Sequence, residues 1–201
     1  MANVLNRTTL QYLEYVNTPD YDHSEWIINP DLANVQNMPP EQWVINSDDT
    51  VRPMTNDEIN SKFLSSTILT KQTAADFYYK NTILNNGWMY SFTDSTNTVH
   101  TNLYDCDPTA QSNVNAMVTS AVVAGSNFPS DFVWRTKTND YVPMSGNDVI
   151  MFGLAMMTYV TTCMGLCWRH KDILKNMTDV TTINEYDFTA GYTSIPGHPT
   201  T

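Results

Sequence analysis

Cys163, Cys167 and His170 stand at i, i+4 and i+7 in a stretch of helical character, which sets two thiols and an imidazole along one side of a helix. Those are three of the four ligands a tetrahedral zinc site needs, with Cys106 or His100 available as the fourth. Structural zinc sites usually draw paired ligands from a tight knuckle, however, and no knuckle occurs here. The same residues suit a buried core seam, where free cysteine is common. A second group, His100, Asp105 and Asp107 in "HTNLYDCD", holds the makings of an acid–base pair, although Asp107 before Pro108 is more simply a helix cap. Trp26, Trp43, Trp88, Trp134 and Trp168 could line a sugar site or serve core and interface. With seven glycines in all, the chain has no Gly-x-Ser-x-Gly elbow, phosphate-cradling loop or dinucleotide fingerprint. The expectation is a protein without catalytic residues, metal or cofactor.

The elements that carry these residues are legible in outline. The 20 residues from Val149 to Trp168 contain no charge, and Arg169, His170 and Lys171 follow at once. Such a run has the length and flank of a membrane span. Yet Val149, Phe152, Met156, Tyr159, Cys163, Leu166, His170, Ile173 and Met177 alternate in steps of three and four straight through Arg169. A lipid-facing helix has no need of that seam; a helix buried in protein, by its own core or by self-association, does. The opposite face carries Thr158, Thr161, Thr162, Gly165 and Arg169. A long buried helix is therefore expected, with Ser145 and Asp148 forming a near capping box at its start.

Upstream, Thr55 before Asp57 and Glu58 opens a helix that runs to about Leu84. "GWMYSFTD" followed by "TNTVHTNLY" reads as a hairpin. A helix starts at Pro108 and ends at Gly125, and "DFVWRTKTNDYVPMS" reads as two short strands about a polar turn. Residues 1–50 contain Pro19, Pro30, Pro39, Pro40 and several Asp-rich turns between isolated aromatics. Trp26-Ile27-Ile28 and Trp43-Val44-Ile45 could make brief strands there. With little periodicity, the segment reads as an extended arm without a core of its own, anchoring to a partner through Trp26, Ile27, Ile28 and Trp43. The organisation expected is an α+β chain: arm 1–54, helical and hairpin body 55–177, and a loose or partner-pinned tail 178–201.

Composition narrows the partners. The net charge is −11, with only 15% charged residues; mean hydropathy is −0.35. No Lys/Arg stripe exists to bind a phosphate backbone, so no nucleic-acid partner is expected. Residues 1–60 hold ten acids against Arg7 and Arg52, a net of −8 that sets the first third apart. Three cysteines are an odd count for a disulfide scaffold and suit a reduced, cytoplasmic setting. The start lacks the basic-then-apolar pattern of a signal peptide, and a single candidate span argues against membrane residence.

The run from Trp88 to Met177 joins an aromatic hairpin, "DCDPTAQSNVNAMV", "FVWRTKTNDYVPMSGNDV" and a long helix ending "RHKDILKNM". It resembles a family of uncharacterised domains found in tailed-bacteriophage tail-fibre and fibre-assembly proteins. Trp134, Asn139, Asp140, Val142 and Met144 match its hairpin pattern, with Asn and Asp exchanged in order. The opening "LNRTTLQYLEYVNTPDYDHSEWIINPDL" and "QWVINSDDTVRPMTNDEIN" are similar to N-terminal segments of phage virion proteins. The resemblance implies a structural or assembly role in a tailed-phage virion, tail-fibre or baseplate associated. It implies contact with other virion proteins and a homo-oligomer, trimer or dimer, made in the host cytoplasm. A head-decoration or neck protein, or a fibre-assembly chaperone absent from the particle, is the alternative. No active-site residue carries over.

Overall fold

The computed structural model describes residues 1–199 and mixes helices with small antiparallel sheets, an α+β chain. Contacts divide it into two compact units: Met1–Ser65 with Thr178–Val180, and Ser66–Met177 with the residues from Thr181 onward.

In the first unit, strand β1 (Ala2–Asn6) lies between β2 (Tyr12–Val16) and β3 (Trp26–Ile28), antiparallel to both. Val4 faces Leu13 on one side and Ile28 on the other. A two-stranded ribbon follows, β4 (Trp43–Ile45) with β5 (Val51–Pro53), its turn closed by Asp49 at φ +67°. The two brief strands expected at Trp26–Ile28 and Trp43–Ile45 are β3 and β4. The expectation of an arm lacking a core is corrected: Leu5, Ile27, Val35, Trp43 and Val51 are buried together. These residues are too far apart in sequence to show periodicity. Strand pairing across separations of more than twenty residues collects them on one side.

Helix α1 (Asn56–Tyr78) opens with a reciprocal capping box. The Thr55 amide donates to Glu58 Oε2 at 2.8 Å, and the Glu58 amide to Thr55 Oγ1 at 3.3 Å. The helix widens into a π turn at Tyr79–Ile83 and closes with α2 (Leu84–Asn86) at Gly87. The predicted helix ending near Leu84 thus includes a π segment that propensity does not reveal.

In the second unit the hairpin β6 (Trp88–Thr93) and β7 (Val99–Tyr104) pairs Trp88 with Tyr104. Helix α3 (Pro108–Ala124) is capped by Asp107, whose Oδ1 accepts from Ala110 N at 2.9 Å, and stops at Gly125. Strands β8 (Val133–Arg135) and β9 (Tyr141–Pro143) form the second hairpin. Helix α4 (Gly146–Lys175) carries the full Ser145–Asp148 capping box, and short α5 (Val180–Glu185) follows. Phe152 of α4 is fully buried amid four rings: Tyr104 at 4.8 Å, and Trp88, Tyr90 and Trp134 at 5.4 Å each. Offset and edge-on aromatic packing of this kind contributes beyond area burial.

Along α4 the predicted seam holds at Val149, Phe152, Met156, Tyr159, Cys163 and His170, all buried, but is displaced by one residue at Leu166 and Ile173. Cys167, His170 and Leu174 continue the buried stripe, while Leu166 is only half-buried and Ile173 is 47% exposed. A straight helix drifts about 20° per heptad from a 3.5-residue repeat. Past two heptads the drift is therefore about 40°, and burial passes from Leu166 to Cys167 and from Ile173 to Leu174. Only this face is covered. Within the helix's most apolar window, of mean hydropathy 1.7, a third is buried by the chain itself, so its own core covers one side of the expected buried helix. Among the described residues, α4 is the helix long and apolar enough to cross a membrane.

Candidate functional site

The residues with chemical potential are distributed to structural tasks. His170 on α4 uses both ring nitrogens: Nδ1 lies 2.7 Å from the Tyr186 hydroxyl and Nε2 lies 3.1 Å from the Ala190 carbonyl. With Nε2–H donating to that carbonyl and Nδ1 accepting from Tyr186, both ring nitrogens are satisfied. The Cys167 thiol donates towards Asp76 Oδ1 at 3.5 Å, and Cys106 donates to the Leu84 carbonyl at 3.1 Å. All three cysteines are free and buried. Burial pushes the Cys106 thiol up to about 12 and Cys163 up to about 11, so both stay protonated near neutrality and are poor nucleophiles. Burial also works to raise Asp76, but the hydrogen bond and charge of Lys171, at 2.7 Å, hold its carboxyl below the usual range. Among the described residues no three His, Cys, Asp or Glu side chains converge as a metal site.

His100, Asp105 and Asp107 are not assembled into an acid–base pair. His100 Nε2 lies 2.9 Å from Asp94 Oδ2 across the β6–β7 turn. Thr96 and then His100 bond the Asp94 carboxylate and hold it well below its ordinary range. Asp105 pairs with Lys137 at 2.7 Å, and Asp107 caps α3.

What the second unit does present is an apolar groove of about 560 Å³. Trp88, Met89 and Tyr90 of β6 form one wall, and the Ile195–Gly197 segment forms another. The floor comes from α4 through Met151, Leu154, Ala155, Thr158, Tyr159 and Thr162. Met151 and Leu154 in the groove are 49% and 61% exposed, and beyond it Met157 and Trp168 of α4 are 50% and 56% exposed. Exposed apolar side chains beside a concave groove make this face a candidate binding surface.

The predicted site residues therefore divide. Val149, Phe152, Met156, Tyr159 and Cys163 serve the core of their own unit, and Leu166 lies at its margin. Of the four proposed anchors, Ile27 and Trp43 are buried in the first unit, where Trp43 Nε1 donates to the Met38 carbonyl at 3.1 Å. A side chain committed there cannot insert into a partner without unfolding the unit, so those two assignments are corrected. Trp26, packed edge-on to Tyr21 at 5.0 Å, and Ile28 stay half-buried. Missed altogether were the groove and the part played in it by Ile195–Gly197. The signal was available on the other side of α4, where Met151, Leu154, Thr158 and Thr162 also follow helical spacing.

Comparison with known proteins adds one assignment. The profile of a family described as a domain of unknown function, DUF4376, matches residues 83–190, more than half of the chain. No curated protein and no solved structure matches. The matched span holds the β6–β7 hairpin, α3, the β8–β9 hairpin and α4, the elements that build the groove floor and one wall, and on that match the chain belongs to the DUF4376 family.

Proposed function

We propose that this chain is a non-enzymatic structural component of a tailed-phage virion, associated with tail fibre or baseplate, and that it works by protein–protein assembly. The observation that carries the reading is the set of exposed apolar side chains on α4, Met151 and Leu154 in the groove and Met157 and Trp168 beyond it. Leaving so much apolar side chain in water is unfavourable by about 25 cal/mol per Å², and covering it with a partner recovers that energy. The sequence resemblance to phage tail-fibre and virion proteins supplies the setting, and the net charge of −11 disfavours a nucleic-acid partner. The partners are other virion structural proteins and further copies of the chain, in a dimer or trimer. The protein is made in the host cytoplasm and resides in the virion.

Mass spectrometry of purified particles from the encoding genome tests this directly, with Leu154→Glu as the variant. The chain should be present in particles, and the variant should melt like the parent yet incorporate at least tenfold less. Absence from particles would instead indicate an assembly chaperone. Density at the head or neck in a particle reconstruction would favour a decoration or neck protein. Flotation with lipid vesicles would overturn the reading, since α4 would then be serving a bilayer.

A further inference from the structure

A cleft of about 360 Å³ opens where the β8–β9 hairpin meets α3 and the chain after β7. It is separate from the apolar groove and is lined by Asp105, Asn113, Trp134, Arg135, Lys137 and Asn139. We propose that this cleft binds a short saccharide of one or two pyranose rings.

The cleft is rigidly built. Trp134 pairs with Val142 across the hairpin, and its ring is held against Phe152 at 5.4 Å and Phe132 at 6.1 Å. Trp134 remains half-buried and is among the residues that line the cleft. The turn is closed by the Thr136 amide donating to the Asp140 carbonyl at 2.9 Å, with Asn139 at φ +70°. The Lys137 amide donates to the Leu103 carbonyl at 2.9 Å. Its ammonium bridges the Asn85 carbonyl at 2.8 Å and Asp105 Oδ1 at 2.7 Å.

The other residues lining the cleft carry polar groups with bonding capacity to spare. Arg135 gives Nε and Nη2 to Asn139 Oδ1, which leaves Nη1 and the Asn139 amide hydrogens without partners among the described residues. Asn113 is exposed on α3 with its carboxamide unpaired among the described residues, and Asp105 keeps a second carboxylate oxygen. Planar donors and acceptors in several directions beside an aromatic face are what a pyranose requires. Each of its hydroxyls both donates and accepts, while its C–H face is apolar. The volume falls at the small end of ligand clefts, about 300–1,000 Å³. Asp105 and Lys137 neutralise each other, leaving Arg135 the one cation of the cleft without an acidic partner among the described residues. That balance suits a neutral ligand better than a polyanion.

The test is a titration of the ¹⁵N-labelled full-length protein with glucose, galactose, N-acetylglucosamine and lactose, followed by NMR. At least one sugar should produce saturable shifts of the Trp134 indole N–H and the Asn113 and Asn139 side-chain amides, with a millimolar Kd. Asn113→Ala and Arg135→Ala should each weaken that binding about tenfold, the loss expected for one hydrogen bond to a ligand. Both should melt at the parent's temperature. Trp134→Phe, which keeps a ring against Phe152, should weaken binding with the fold intact. The proposal is overturned if no sugar gives a saturable shift, if Asn113→Ala binds as the parent does, or if inorganic phosphate alone reproduces the shifts. Particle incorporation does not depend on this cleft, so failure here leaves the assembly reading standing.

Discussion

Gly197 lies flat against the indole of Trp88. A Cβ built on it would stand 2.4 Å from Nε1 and 2.6 Å from Cδ1, and its φ is +84°. Its carbonyl accepts the Met89 amide at 2.8 Å, and the Nδ1 of neighbouring His198 lies 3.3 Å from the Tyr159 hydroxyl. Three contacts thus fasten the C-terminal segment to the hairpin and to α4, and in doing so complete the apolar groove.

Gly197→Ala should therefore loosen this segment. Both the left-handed backbone and the contact with Trp88 oppose a side chain, so about 1–3 kcal/mol of stability should be lost. Thermal melting reads the loss, and faster hydrogen exchange at the Met89 amide locates it. An unchanged melt with full protection at Met89 would show that the segment is not held by this contact.

The same substitution should act in opposite directions at two glycines of α4. At Gly153 a Cβ would meet Val118 Cγ2 of α3 at 2.4 Å, whereas at Gly165 nothing lies within 4 Å. Gly153→Ala should cost about 1–3 kcal/mol through overpacking. Gly165→Ala should add about 0.5–1 kcal/mol through helix propensity. Equal effects by denaturant titration would contradict the packing of α3 on α4.

Trp43→Ala should destabilise the first unit by about 3–5 kcal/mol, the range for removing a buried tryptophan. Trp26→Ala, at a half-buried ring, should cost distinctly less. Chemical denaturation followed by amide exchange in β1 and β3 separates the two. A larger effect at Trp26 would return Trp43 to the role of an external anchor.

Acid should weaken the start of α1. The Arg52 guanidinium, with Nη1 2.7 Å from Glu58 Oε2, and then the Thr55 amide depress the Glu58 carboxyl from 4.5 to about 2. A depressed carboxylate contributes stability that is complete above its unfolded value and disappears as pH falls through its folded one. The contribution should therefore fade between pH 4.5 and about 2. Glu58→Gln should flatten the stability profile in that window. Asp49, also depressed by its ion pair with Arg7, should retain its own slope there. A variant profile parallel to the parent's would remove Glu58 from the account.

Several elements were legible residue by residue. Ser145 with Asp148, Asp107 before Pro108, and Gly125 after Ala124 mark helix ends, because a cap is a hydrogen bond between groups three or four positions apart. Both aromatic hairpins and the strands at Trp26–Ile28 and Trp43–Ile45 follow from short β-rich runs between turns. Strands β1 and β2 escaped notice, since "ANVLN" and "YLEYV" have no regular alternation of their own. The π turn at Tyr79–Ile83 left no mark in the spacing. The Trp134 cleft was also hidden, since its lining comes from three segments spread over more than thirty residues.

The amino-acid order alone determined where α4 begins, that its middle is uncharged, and that one stripe of it is more apolar than the rest. Tertiary packing decided which stripe is covered after Cys163, gave residues 1–54 a core of their own, and left Met151, Leu154, Met157 and Trp168 in water. The division has a physical cause. Caps and turns close over a few bonds at little entropic cost, so their chemistry is written locally. Burial depends on partners brought from far along the chain, and only the folded backbone fixes which side chains those partners reach.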